Sequence, residues 1–336
     1  MPSRRTLSKL LAAAAVVVMS MPSAWAQEYK ILLGTAASPP HPFYEAGRMW
    51  KEEVEKRSGG RVAVQYLHSR QLGEERPLFE GVLSGTVDAM VGSSISLTVF
   101  AGKPSFEALQ MPFLISSYDN QAKVLSSDAA KALLADLDSA GIKGLSLFEG
   151  GQRHYLSRKG PVRTMEELAG LKTRVMNMPM HLAIWEEAGA APVGMNYGEI
   201  YTSLETGVID GVEINVSSLE SERFYEAAKH FTYTGHYFWP GMLIANKAKF
   251  DGFPEDIRQI MLEAGHDIIV PQVMATKESE AVIAKKLAEE EGVQFHQFED
   301  MEKMRALMEP LIKKRVESDP GIAAFVEAVR QIEAGQ

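Results

Sequence analysis

Apolar and polar residues alternate along Val62-Ala63-Val64-Gln65-Tyr66-Leu67 and along Leu171-Lys172-Thr173-Arg174-Val175, the period-two pattern of strands. A different spacing governs Phe43 to Arg57, where Trp50 and Val54 fall one helical turn apart and Gly59-Gly60 ends the run. In chain order the pattern predicts a strand over Ile31–Thr35, a loop at Ser38-Pro39-Pro40-His41-Pro42, the helix 43–57 and the strand 62–67. A loop over Gln71–Glu75, a helix over Arg76–Ser84 stopped by Gly85 and a strand over Val87–Val91 follow. This β-loop-α-β rhythm predicts a mixed α/β sheet, in which ligands lie in a crevice beyond the strand ends.

Further on, Asp128–Ala140 reads as a helix and Lys143–Phe148 as a strand that leads into Gly150-Gly151. Glycines absorb the backbone turns of a hinge, so the first domain crossing is placed there and the return at Phe238-Trp239-Pro240-Gly241. Thr164-Met165-Glu166-Glu167 is a capping box before a short helix ended by Gly170, and His181–Glu187 is another helix. A short helix through Leu204 stops at Gly207, followed by a brief apolar strand ending at Asp210-Gly211. Phe224–Lys229 continues helically. From Pro254 the pattern stays helical to about Glu291, with Pro271 as a candidate kink. The tail from Phe298 to Ala334 is helical, with Pro310 and Pro320 as breaks.

The first 26 residues stand apart. Arg4, Arg5 and Lys9 form a basic start, Leu10–Met19 an apolar run too short for a stable bilayer span, and Ala24-Trp25-Ala26 a small-x-small cleavage site. This predicts a secretory signal peptide leaving Gln27 as the mature N-terminus. Ser3-Arg4-Arg5-Thr6-Leu7 also resembles a twin-arginine signal, and both export routes stay open. The chain of 336 residues has no cysteine, hence no disulfide and no thioether lipid anchor, and its length suits two packed domains. The formal charge is −9, and loss of the signal with its three cations leaves −12. Such a surface repels phosphate backbones, so nucleic acid is not an expected partner.

Motifs for common chemistry are missing: no Gly-x-Gly, no phosphate-cradling Gly-x-x-x-x-Gly-Lys and no Gly-x-Ser-x-Gly elbow. The eight histidines are scattered, and His230 and His236 do not match a common zinc spacing. Neither a cofactor nor a metal is expected. On spacing alone, Arg174 near its strand end is either a bidentate carboxylate clamp or one more charge on a half-solvated sheet face.

The segment Leu171 to Gly211, together with Gly150-Gly151-Gln152-Arg153-His154 and Gln71-Leu72-Gly73-Glu74-Glu75-Arg76, resembles the solute-binding proteins of tripartite ATP-independent periplasmic (TRAP) transporters of the DctP type. The likeness covers nearly the whole mature chain. It implies an α/β, two-domain periplasmic binding protein of type II-like architecture, with hinge strands and a long helix spanning both domains. The expected division is a signal peptide over 1–26, a first domain from 27–150 plus 240–279, and a second from 151–239 plus 280–336.

The resemblance also implies the site. Arg174 binds the solute carboxylate, and Arg153 joins it through the Gly-x-Arg match. Tyr197 supplies a stacking face or an apolar wall. Asn177 either donates to the ligand or caps its loop. Glu75 either accepts a ligand hydroxyl, directly or through water, or holds its own loop. His41 and Trp239 are placed on loops facing the cleft. Where some members of the family bind ligand through an asparagine, this chain has Ile214, with Asn215 one place later. Tyr197, Ile214, Phe238 and Trp239 together lean the expected ligand towards an acid with an apolar or aromatic portion, a sugar acid being the alternative.

The function so implied is capture of a small organic carboxylate in the periplasm and delivery to the small and large membrane subunits of a TRAP symporter, without chemistry on the ligand. The alternatives are a secreted hydrolase or lyase acting on an organic acid, and a binding protein for an ATP-driven importer or a chemoreceptor.

Overall fold

The computed structural model describes residues 27–335. The segment read as an export signal lies outside the described residues. Among those described, eleven strands run in chain order as β1 (Tyr29–Thr35), β2 (Val62–Leu67), β3 (Ala89–Ser93), β4 (Ile142–Gln152), β5 (His154–Ser157), β6 (Lys172–Val175), β7 (Ala191–Gly194), β8 (Gly211–Ile214), β9 (His230–Tyr233), β10 (Phe238–Asn246) and β11 (Gln294–Gln297). They form two sheets, ordered β2-β1-β3-β10-β4 and β11-β9-β5-β8-β6-β7. In the first, β1 runs parallel to β2 and β3, and β10 is antiparallel to β3 and β4. In the second, β6 is parallel to β7 and β8, while β5 is antiparallel to β8 and β9.

Local sequence accounts for the helices that back these sheets. In the helix Pro42–Arg57, buried Phe43, Ala46, Gly47, Trp50 and Val54 follow the three- and four-residue steps that bring one stripe to the core. Proline at its first position lacks only an N–H that would be unpaired there, and the His41 ring caps the next. Trp50 is wholly buried and its indole N–H donates to the Met261 carbonyl at 3.0 Å, so its large apolar body is desolvated without stranding its polar atom. Each such fully buried large side chain contributes about 1.5–3 kcal/mol.

Two segments of chain join the lobes built on the two sheets. β4 of the first sheet ends at Gln152 and β5 of the second begins at His154, so Arg153 alone lies between them. The chain returns between β9 and β10, and the Arg153 N–H donates to the Tyr237 carbonyl at 2.9 Å, tying the two crossings together. Gly151 has φ +113°, a conformation that disfavours side chains, and a Cβ there would stand 2.5 Å from Glu280 Oε1. A third connection is the helix Ile269–Glu291, which packs on β4 and the helix Tyr118–Ser126 of one lobe and on the helix Val216–Ser221 of the other.

The long helical pattern bends at the turn before Pro271, as Glu255–Asp267 and Ile269–Glu291, because Pro271 has no N–H to offer the Asp267 carbonyl. Three expectations are corrected. The strand thought to end at Asp210-Gly211 begins at Gly211 and runs to Ile214, because Val208 is exposed and the buried run lies further on. Pro310 does not break its helix, which runs from Met301 to Ser318. Burial of Met304 and Met308, at about 1.5–3 kcal/mol each, offsets the roughly 3 kcal/mol that an interior proline costs. The last helix, Pro320–Glu333, assigned with the second domain, packs against the first: Ile322, Phe325, Val326 and Val329 share a core with Phe106, Leu109 and Leu125. No helix among the described residues is long and apolar enough to cross a membrane.

Candidate functional site

A cavity of about 410 Å³ lies between the lobes. The first lobe lines it with Ala37, His41, Phe43, Glu74, Glu75, Ser96, Phe100 and Trp239, and the second with Arg153, Arg174, Met176, Asn177, Met178, Met195 and Tyr197.

Arg174 sits in β6, an interior strand of its sheet flanked by β7 and β8, and is only 2 % exposed. Its Nε and Nη2 donate to one acceptor, the Met195 carbonyl, at 3.2 and 2.8 Å. Met195 follows β7, which pairs in parallel with β6, so the sheet register itself sets that carbonyl beside the guanidinium. Nη1 has no partner among the described residues, and no carboxylate there lies within ion-pairing distance of Arg174. Burial pulls its pKa down to about 10 against the opposing Glu213 charge, with the Arg153 charge a smaller lowering cause, and the group stays cationic at neutral pH. A buried, unmatched cation on a cavity wall is costly until an anion arrives.

Arg153 is buried too, but it is matched. Its Nε meets Glu213 Oε2 at 2.6 Å, Nη2 donates to the Glu213 carbonyl at 2.6 Å, and Nη1 to Asn215 Oδ1 at 3.3 Å. Its guanidinium lies over the Trp239 ring at 4.5 Å. Burial raises and the Arg153 charge lowers the Glu213 pKa, and the charge prevails, holding Glu213 well below the usual carboxylate range. The Tyr237 hydroxyl donates to the same Glu213 oxygen at 3.0 Å.

Glu75 opens the helix Glu75–Ser84 on the facing lobe. Its Oε1 accepts from the Ser93 N–H and the Ser96 hydroxyl, each at 2.7 Å, and burial raises its pKa to about 7. Trp239 stacks on Phe43 with centroids 4.4 Å apart, and its indole donates to Ser93 Oγ at 2.8 Å. The His41 Nδ1 accepts the Phe43 N–H at 3.1 Å, which fixes the proton on Nε2 and lets it donate across the lobes to Ser218 Oγ at 3.0 Å. Burial lowers the His41 pKa to about 3, so the ring is neutral. Tyr197 closes the second-lobe wall, with the Arg70 guanidinium 5.7 Å from its ring. Asn177 is exposed at the rim, packed against Gly194.

Seven of the nine residues picked from the sequence line the cavity; Ile214 and Asn215 do not. Successive strand residues face opposite sides, and in β8 Glu213 takes the side towards Arg153. Ile214 therefore packs in the second lobe's core with Leu156, Ile200 and Phe231. Asn215 spends its amide on the Gly150 carbonyl at 2.5 Å and its oxygen on Arg153 and Ser218. Phe238 packs on Tyr118 at 4.8 Å, away from the cavity. With Ile214 and Phe238 gone from the wall, the argument for an apolar or aromatic ligand loses two of its four residues.

Sequence reading missed Glu213, although it is the acid of the Asp210-Gly211-Val212-Glu213 turn, and Arg70, one place before Gln71-Leu72-Gly73. At the cavity mouth Arg70 Nη2 donates to Glu222 Oε2 at 2.7 Å, and the Gly198 N–H donates to Glu74 Oε1 at 3.2 Å. Both bonds join first lobe to second.

The model of the bacterial extracellular solute-binding protein family 7, DctP, matches residues 33–319. The 2,3-diketo-L-gulonate-binding periplasmic protein YiaO of Escherichia coli is 30% identical over 78% of this chain and 79% of its own. The C4-dicarboxylate-binding periplasmic protein DctP of Rhodobacter capsulatus is 30% identical over 77% of either chain. A TRAP periplasmic solute binding protein from Bradyrhizobium sp. btai1 b, solved in complex with α/β-D-galacturonate, superposes with a TM-score of 0.84 at 27% identity, covering 90% of this chain and 99% of that one.

Proposed function

We propose, for a chain that belongs to the bacterial extracellular solute-binding proteins of family 7 (DctP), that Arg174 clamps the carboxylate of a small organic acid in the cavity between the lobes. The observation that carries this reading is a buried guanidinium, pinned on one side by the Met195 carbonyl and without a carboxylate of its own. A planar fork held at one edge presents its free edge to two oxygens at a fixed angle, and a low-dielectric wall strengthens the resulting bonds.

The rest of the wall supports the same assignment. Tyr197, Trp239 and Phe43 offer flat apolar faces, Glu75 and Asn177 offer polar ends, and Arg153 is already neutralised by Glu213. The lobes close on the acid about the paired crossings at Arg153 and Tyr237, with Arg70–Glu222 and His41–Ser218 bridging them once shut. The closed shape is what the small and large membrane subunits of a TRAP symporter read, and the acid is handed over unchanged. DctP-family binding proteins are periplasmic, and the basic and apolar leader of this chain supplies the export signal.

Thermal-shift screening of the mature chain against organic acids tests the reading, since a ligand that binds only the folded state raises the midpoint by mass action. D-glucuronate and its uncharged amide form the decisive pair. The acid stabilises and the amide does not; equal stabilisation by the amide sinks the clamp.

A further inference from the structure

The two neighbours of Arg153 face away from the ligand. Side chains alternate in side along extended chain, and where Arg153 lines the cavity already described, Gln152 and His154 line a second one of about 440 Å³. The two cavities share no lining residue and lie on opposite faces of the same crossing. The return crossing gives the second cavity Gly235, the spanning helix Ile269–Glu291 gives it Lys277 and Glu280, and the helix Met301–Ser318 gives it Arg305.

Its wall is rich in donors. His154 is only 5 % exposed, and its Nδ1 accepts the Gly235 N–H at 3.0 Å, which places the proton of the neutral ring on Nε2. Burial holds the His154 pKa well below the usual histidine range, so the ring stays neutral. Edge contacts with Phe231 and Tyr233 fix its orientation, and Nε2–H has no partner among the described residues. The Arg305 guanidinium lies over the Phe113 ring at 4.4 Å and reaches Glu302 only at 4.0 Å. Lys277 meets Asp119 at 2.8 Å. Glu302 and Asp119 are both well exposed and neither lines the cavity, and pairs this open hold their partners weakly, so each cation can turn to an incoming anion.

Glu280 is the one acid on this wall. Facing it are Tyr118, whose hydroxyl donates to Oε2 at 2.5 Å, Glu149 of β4, Tyr233, and Lys277 of its own helix. Burial raises its pKa to about 7, so near pH 6 it carries a proton in place of a charge.

We infer that this cavity is a second binding site, for a small anion of the carboxylate or phosphate kind, held by Lys277, Arg305 and the Nε2–H of His154. Two cations on flexible stems attract the anion, and a fixed N–H orients one of its oxygens. The assignment does not depend on the Arg174 clamp. Both crossings and the spanning helix line the site, so an anion seated there prefers one hinge angle and is linked to capture on the far face.

Inorganic phosphate is the probe, and the Arg174→Ala chain is the host, so that the free guanidinium of the ligand cavity cannot supply the signal. Titration at pH 6, read by NMR at the His154 imidazole, gives a saturable shift with half-saturation below about 10 mM. Sodium chloride at matched ionic strength gives none. Lys277→Gln combined with Arg305→Gln raises the half-saturation at least about tenfold, and both side chains are exposed enough for the fold to tolerate the exchange. Absence of a saturable shift, or an equal one with chloride, overturns the inference. An unchanged half-saturation in the folded double variant does so too; should that variant not fold, the comparison with chloride decides. Should Arg174→Ala not fold, the wild-type chain serves as host, because His154 lies on the face away from Arg174.

Discussion

The guanidinium of Arg153 meets the Glu213 carboxylate at 2.6 Å with both side chains at most 1 % exposed, whereas Arg174, on the same wall, has only a backbone carbonyl. One arginine is spent on a partner within the fold, and the other has no carboxylate partner among the described residues. Mutation separates them.

Removal of Glu213 acts on stability. Glu213→Gln strands a buried cation, and breaking such a pair from one side costs about 3–5 kcal/mol. Denaturant unfolding reads this as a lower midpoint with unchanged slope. A loss under about 1 kcal/mol shows that Arg153 has found another partner.

Removal of the Arg174 fork acts on binding. Arg174→Ala weakens capture of the acid by at least about a hundredfold, at roughly 1.4 kcal/mol per decade. Stability of the unliganded chain does not fall, because a desolvated and unmatched charge has gone. Arg174→Lys rescues little, since an ammonium cannot present two parallel donors. Calorimetry with D-glucuronate decides, and a change below about threefold in either variant takes Arg174 out of the site.

The bond at the cavity mouth is worth less. Arg70 and Glu222 are 28 % and 10 % exposed, and a partly buried pair whose arginine still reaches solvent contributes about 1 kcal/mol, the upper end for pairs at a surface. Arg70→Ala therefore speeds ligand release by no more than about fivefold, and added salt erases the difference between variant and wild type. Stopped-flow displacement measures both. A loss as large as that of Arg174→Ala would make the rim, not the buried fork, the seat of affinity.

Stability of the unliganded chain peaks near pH 6.5. Burial raises the pKa of Glu149 to about 8 and those of Glu280 and Glu75 to about 7, so in the fold these acids hold protons that the unfolded chain has released. Their contribution is complete below the ordinary carboxylate range and is lost as pH rises through 7 to 8. His41, His154, His181 and His236 are lowered by burial and act in the opposite sense: neutral in the fold, they are protonated in the unfolded chain below 6.5, so stability also falls on acidification. Thermal melts from pH 5 to 8.5 trace both limbs, and Glu149→Gln flattens the alkaline one. A midpoint that is level or rising from pH 6.5 to 8 contradicts this assignment.

Strand and helix periods announced most of the fold. The stripe of Phe43, Trp50 and Val54 and the alternation around Thr173 and Val175 are local signals, and both elements are where those signals place them. Position in space was harder to read. Nothing near Pro320 says that its helix returns to the first lobe, because the partners Phe106, Leu109 and Leu125 lie some two hundred residues upstream. In the cavity, Arg174 and Glu75 could be picked by motif and residue type. Ile214 could not be assigned a side without the register of β8, and a shift of one residue exchanges its role with that of Glu213. Arg70 and Glu222 carry no individual mark, since their meaning arises only when the lobes bring them together.

The single-residue junction at Arg153 has a mechanical consequence. A side chain that grips Glu213 and lies over Trp239 also belongs to the backbone link on which the two halves turn. The part of the cavity beside that junction is displaced least by a turn about it, whereas bonds between the lobes away from it, such as Arg70–Glu222, are displaced more, so a small rotation at the junction is magnified further out.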